Sequence, residues 1–183
     1  MKKVNFSNYD NSSYKPGNYI LIFLWYFINI IFFINPLQPF SFIKVFLLKC
    51  FGAKVGHGVL IKPAVNIKYP WLLEIGNNVW IGEDVWIDNL AKVTIGNNVC
   101  LSQGAMLLCG NHNYKSTSFD LIVREITIED GSWVGAKSIV CPGVILKSHA
   151  ILSVGSVANH NLETNGIYQG NPAILIRERR IDK

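Results

Sequence analysis

Charge is scarce in this sequence. Asp, Glu, Lys and Arg make up 16% of the 183 residues, against about 25% in typical soluble domains. Half the residues are apolar, which excludes intrinsic disorder. Acid is nearly missing from the first 54 residues, which hold six Lys and one Asp, while the rest hold eleven charges of each sign. The net charge of +5 therefore sits in the N-terminal part, and the body lacks the basic surface that nucleic-acid binding needs. Cysteine is sparse too: Cys50, Cys100, Cys109 and Cys141 have 49, 8 and 31 residues between them. No CxxC pair and no zinc-type Cys/His spacing occurs, so no metal site is expected. Scattered thiols suit a reducing, cytoplasmic setting.

A long hydrophobic run is also lacking. Tyr19 to Ile34 is sixteen residues, broken by Asn29, short of the ~20 that a spanning helix needs. Asn35, Pro36 and Pro39 stand where a signal peptide would have small residues. Beyond Pro39, FSFIKVFLLKCFG reads as a second, amphipathic helix with Lys44 and Lys49 on its polar side. Two roles fit this arm: a cap on the main domain, or peripheral docking at the inner face of a membrane.

What the sequence has is a period of six. Aliphatic residues stand at Val55, Ile61, Ile67; at Ile75, Ile81, Ile87; at Ile95, Leu101, Leu107; and at Ile128, Val134, Val140, Leu146 and Leu152. Four residues after each, the side chain is usually small, as at Val59, Val79, Ala105, Ser138 and Ala150. A helix repeats at 3.6 residues and a plain strand at 2, so a strand and turn repeated as a unit is expected. The irregular steps recur after every third hexad: Ile67 to Ile75, Ile87 to Ile95, and the long step from Leu107 to Ile128, an insertion of fifteen residues. Irregularities confined to one corner predict a triangular parallel β-helix of about five coils. The expected organisation is an N-terminal helical arm (1–54), the β-helix (55–163) with an inserted loop (109–126), and a short C-terminal tail (164–183).

IGNNVWIGEDVWI, IGNNVCLSQGAM, IEDGSWVGAKSIVCPGVIL and the terminal QGNPA resemble the left-handed β-helix hexapeptide-repeat acyltransferases. The arm, FGAKVGHGVLIKP and the GNHNY loop are similar to the colanic-acid biosynthesis acetyltransferase subgroup. Left-handedness is implied by this resemblance and not by the period. The resemblance also implies acetyl-CoA as co-substrate, a homotrimer with the coenzyme between subunits, and no metal.

Acyl transfer to a hydroxyl needs a base for the hydroxyl proton and a donor to the oxyanion. His57, His149 and His160 fall at repeat corners, where solvated turn residues are common. His112 lies in the insertion, and long loops in compact repeats are usually functional. The resemblance makes His112 the general base. Cys109 offers a covalent alternative. Asp88 and Asn89, at the same corner one coil earlier, are the expected acceptor-binding residues. For the coenzyme, the resemblance points to Trp133, to backbone groups of Ala136 and Val154, and to Asn159 and Arg177. Asn159 stands where the family has Thr or Ser, His160 replaces a Lys, and Ile174 replaces a basic residue, which leaves Arg177 for the 3′-phosphate. Outward-facing Trp80, Trp86, Trp133, Ile139, Ile145 and Ile151 call for a cover, which a trimer along the helix faces would supply.

The expected function is an acetyl-CoA-dependent O-acetyltransferase acting on a sugar or glycan hydroxyl in surface-polysaccharide assembly. The alternatives are an N-acyltransferase of a nucleotide-linked amino sugar, an antibiotic acetyltransferase, a zinc hydratase on the same fold, and a non-catalytic β-helix scaffold.

Overall fold

The structure is a computed structural model and describes residues 3–181. Its body is a parallel β-solenoid. The first coil holds β1 (Lys54–Val55), β2 (Leu60–Ile61) and β3 (Asn66–Ile67), and the second β4 (Leu73–Ile75), β5 (Trp80–Ile81) and β6 (Trp86–Asp88). The third is β7 (Val93–Ile95), β8 (Cys100–Leu101) and β9 (Met106–Leu108); from it project β10 (Gly110–His112) and β11 (Leu121–Val123). The fourth is β12 (Ile126–Ile128), β13 (Trp133–Val134) and β14 (Ile139–Val140); the fifth is β15 (Ile145–Leu146), β16 (Ile151–Leu152) and β17 (Val157–Ala158). The first strands of the coils stack into face A, the second into face B and the third into face C.

Two details go beyond the expected five coils and short C-terminal tail. A bridge from Leu146 to Leu162, and β18 (Gly166–Gly170) pairing with β16, begin a sixth turn beyond the five complete coils. Within the C-terminal tail, β19 (Ala173–Glu178) folds back antiparallel on β18 and extends face B. Antiparallel pairing breaks the six-residue period, so the repeat does not register it.

The period of six is the physics of a two-residue strand. Alternation sends one residue of each strand inward and its neighbour outward. On face B the inward residues Ile61, Ile81, Leu101, Val134 and Leu152 align in register and are buried. Each such side chain contributes roughly 1.5–3 kcal/mol by leaving water. Their outward neighbours Trp80 and Trp133 stay largely exposed. The IGNN corners stack in the same way: Asn77 Oδ1 accepts the His57 N–H at 3.0 Å, Asn97 Oδ1 that of Asn77 at 2.9 Å, and Asp130 Oδ1 that of Asn97 at 2.7 Å. Gly76 precedes this ladder because a Cβ there would lie 2.7 Å from the carbonyl carbon of Gly96.

The arm closes the first coil. Helix α1 (Tyr19–Ile28) continues through π-helical turns (Asn29–Ile34), and α2 (Ser41–Cys50) follows. Trp25, Phe33 and Leu48 are buried against the coils. Carbonyls at the solenoid's open edge receive side-chain donors from the arm: Trp25 Nε1 to Ile67 at 2.8 Å, Ser41 Oγ to Val59 at 3.2 Å and Lys44 Nζ to Lys62 at 2.6 Å. Asn29, the polar break in the apolar run, is buried and donates to Asn66 Oδ1 at 2.8 Å. Lys44 therefore does not lie on a polar outer side of α2 as expected; it is fully buried and serves as a cap. Lys49 is exposed.

Candidate active site

Between β9 and β12 the chain leaves the solenoid as an antiparallel hairpin, with Gly110 opposite Val123 and His112 opposite Leu121. It projects from the corner joining faces C and A, where the extra residues of the first two coils also lie.

His112 stands at the end of β10, partly buried. Its Nδ1 lies 2.8 Å from the carbonyl oxygen of Phe119. A carbonyl only accepts, so Nδ1 carries the proton, and in the neutral ring the lone pair is on Nε2. The Phe119 ring stacks on the imidazole, 4.4 Å between centroids and 8° between planes. Phe119 adopts a left-handed backbone, φ 54°, a costly conformation for a bulky residue. This one residue presents both its ring and its carbonyl to His112.

Cys109, just before the hairpin, is fully buried, and burial pushes its thiol up to about 11. It is a protonated core residue at neutral pH. Asp88, at the end of β6, is half-buried and paired with Lys68 at 3.0 Å. Its carboxylate faces the backbone of Gly110, where a Cβ would lie 3.9 Å from Asp88 Oδ2. Asn89 does not reach the surface. Its Oδ1 accepts the N–H groups of Lys68 and Tyr69 at 3.2 and 3.0 Å, and its Nδ2 donates to the Tyr69 carbonyl at 2.6 Å. It shapes the corner and has no face left for a ligand, which corrects the acceptor-binding expectation for it.

The coenzyme candidates gather elsewhere. Trp133, Ala136, Val154 and Arg177 line one groove of about 500 Å³ on face B, with Ile151 and Ile167. Trp133 Nε1 donates to Ser102 Oγ at 2.8 Å, which fixes the indole. A neighbouring cavity of about 790 Å³ shares Trp133 and Arg177 and adds Glu178, Arg179 and Arg180. An apolar channel ending in guanidinium groups fits a pantetheine arm with phosphates at its far end. Asn159 is not in this groove; it is exposed after β17, with Oδ1 2.8 Å from His160 Nδ1. His112 and Asn159 thus lie toward the C–A corner and the groove on face B. In a three-faced solenoid that corner is opposite face B, so one chain does not bring the two sets together. Among the described residues no cluster of His, Cys, Asp and Glu could hold a metal.

Sequence reasoning missed the strap ahead of α1. Trp71 Nε1 donates to the Pro16 carbonyl at 2.6 Å, the Tyr14 hydroxyl to the Leu90 carbonyl at 2.6 Å, and the Asn5 N–H to the Thr117 carbonyl at 2.9 Å. Residues 5–16 thereby follow the irregular corner up to the hairpin. There Phe6 meets Phe119 edge-on, centroids 5.3 Å apart, and Tyr9 lies 5.9 Å from His112 at a tilt of 54°. These contacts span about a hundred residues of sequence, and no local pattern announces them.

No family model matches the chain. It is 35% identical over 166 residues to the colanic acid biosynthesis acetyltransferase WcaF of Escherichia coli K12, covering 91% of each. It is 27% identical to the galactoside O-acetyltransferase of the same organism, covering 72% of this chain and 66% of that one. Among solved structures, a hexapeptide-repeat acetyltransferase of Vibrio cholerae, VCA0836, superposes with a TM-score of 0.79 at 21% identity, over 88% of this chain and 92% of that one. The same protein complexed with acetyl coenzyme A gives 0.73 at 20% identity, over 80% and 81%.

Proposed function

The chain belongs to the hexapeptide-repeat acetyltransferases, and from that premise we propose that it moves an acetyl group from acetyl-CoA to a sugar hydroxyl in polysaccharide biosynthesis, with His112 as general base. The observation that carries the reading is the Nδ1 bond to the Phe119 carbonyl. It leaves Nε2 as the acceptor a base requires, on a ring already held in place.

In this mechanism Nε2 takes the proton from the acceptor hydroxyl as its oxygen attacks the thioester carbonyl. The imidazolium then returns that proton to the departing thiolate, which leaves as the free thiol. Trp133 and the backbone of Ala136 and Val154 orient the thioester arm, while Arg177 neutralises phosphate. Asp88 borders the acceptor side of the corner. The separation of His112 from the groove supports a shared site, completed when the face-B groove of one copy meets the C–A corner of the next in a trimer. WcaF is named for colanic acid biosynthesis and the second relative for galactoside O-acetylation, which supports a glycan acceptor and oxygen as the acylated atom. The direct experiment follows thiol release from acetyl-CoA across sugar acceptors and maps the acetyl group on the product. Transfer to an amine in preference to every hydroxyl would favour the N-acyltransferase reading instead.

A second reading concerns the arm. While its inner stripe is buried, Tyr19, Ile20, Phe23, Tyr26, Phe27 and Ile31 of the opposite side are exposed, as are Phe42 and Phe46 of α2. No described helix is long and apolar enough to cross a membrane. An exposed aromatic face, with Lys15 and Lys49 also exposed and a single acid in 54 residues, suits an anionic lipid surface. Peripheral docking there would hold the active site near acceptors built on a lipid carrier.

A further inference from the structure

The strap brings a second aromatic to the catalytic corner, and its placement is unlike that of a packing residue. Phe6, before it, is set against Phe119; Tyr14 and Pro16, after it, are tied by hydrogen bonds to Leu90 and Trp71. Tyr9 is thus fixed from both sides, yet the residue stays 36% exposed. The surroundings of the imidazole explain why this matters. Phe119 covers one face and holds Nδ1. The Tyr9 ring, in contact at a steep tilt, forms an angled wall beside His112.

A pyranose has apolar C–H faces and a polar rim. An aromatic wall removes the apolar face from water and leaves the hydroxyls free for directed hydrogen bonds, as in ligand sites that combine aromatic walls with a few placed polar groups. We propose that Tyr9 is a specificity-determining residue of the acceptor subsite, packing against the sugar ring while the hydroxyl to be acylated reaches His112 Nε2. The strap is then part of the active site as well as a tie along the corner. This rests on His112 being the base and a sugar being the acceptor.

The test measures thiol release from acetyl-CoA by the full chain, with a series of methyl glycosides as acceptors and with water as the competing acceptor. Water needs the base and no stacking wall. Tyr9→Ala should raise the glycoside KM about tenfold or more, with kcat and the rate of acetyl-CoA hydrolysis within about threefold of wild type. Tyr9→Phe should restore the KM. An unchanged glycoside KM in Tyr9→Ala, with the variant folded by circular dichroism, overturns the proposal. So does an equal loss of transfer and hydrolysis, which would make Tyr9 a support for His112 alone. The underlying readings fail separately: activity retained in His112→Ala removes the base without touching the KM result. A wild type that transfers to no glycoside removes the sugar acceptor, and this subsite with it.

Discussion

Phe119 holds His112 twice, by its ring 4.4 Å above the imidazole and by its carbonyl 2.8 Å from Nδ1. Its backbone is left-handed, φ 54°. A positioned base contributes about 10²–10⁴-fold to rate, so His112→Ala should lower kcat by that order while acetyl-CoA binding by calorimetry stays near wild type. Phe119→Gly and Phe119→Ala separate the ring from the backbone. Both should lower kcat, but Gly adopts φ 54° without strain, and the Gly variant should be the more stable by about 1 kcal/mol in denaturant titrations. Equal or reversed stabilities would show that the turn is not under strain.

Cys109 is a buried thiol held well above neutrality. Cys109→Ala should therefore keep kcat within about threefold, since no thiolate is needed. Abolished turnover in a folded variant would return the covalent route to consideration.

Trp133 and Arg177 share the face-B groove. Trp133→Ala and Arg177→Ala should each raise the KM for acetyl-CoA about tenfold, leaving the acceptor KM unchanged. For Arg177→Ala, the loss should shrink with a coenzyme lacking the 3′-phosphate. Light scattering should show a trimer at micromolar concentration, and a monomer with full activity would rule out a site shared between copies.

The exposed aromatics of the arm make a salt-dependent prediction. Full-length protein should sediment with vesicles rich in anionic lipid at low salt and be released as salt rises, because the lysine contribution is screened. Phe23→Ser together with Phe27→Ser should weaken binding at every salt concentration without altering acetyl transfer. No binding at low salt would leave the arm its capping role alone.

Lys44 gives a pH prediction. Burial holds its ammonium down to about 8, from 10.5. Between those values the unfolded chain binds more protons than the folded one, so this residue's contribution to stability rises with pH across the window. Wild type should accordingly gain on Lys44→Met between pH 7 and pH 10, by on the order of 1–3 kcal/mol in paired urea titrations. A pH-independent difference would mean that Lys44 is neutral, or hydrated, throughout.

The sequence made the solenoid legible because every coil repeats one physical solution. Ile61, Ile81 and Leu101 stack as their spacing requires, and the insertion leaves from the corner where the earlier irregularities lay. Groups that break the repeat were harder to read. Asn89 looked like a polar corner residue, and only its three hydrogen bonds show that its amide is spent inside the turn. Lys44 looked solvated from its helix position, yet the unpaired Lys62 carbonyl draws it inward. The β18–β19 hairpin follows antiparallel pairing, and Tyr9 reaches His112 through tertiary contacts; neither leaves a periodic trace.

The side-chain donors of the arm have a consequence for what this molecule can become. A parallel solenoid ends in a strand edge that is chemically the same as every edge inside it, so a bare first coil is a template for another chain's coil. Such a head-to-tail contact does not close on itself and would grow into a fibre. Trp25 and Ser41 occupy two of the carbonyls that such growth would need, those of Ile67 and Val59, while the helices bearing them block the approach. The arm therefore sets the length of the assembly: it makes a stack that could be endless stop at one chain.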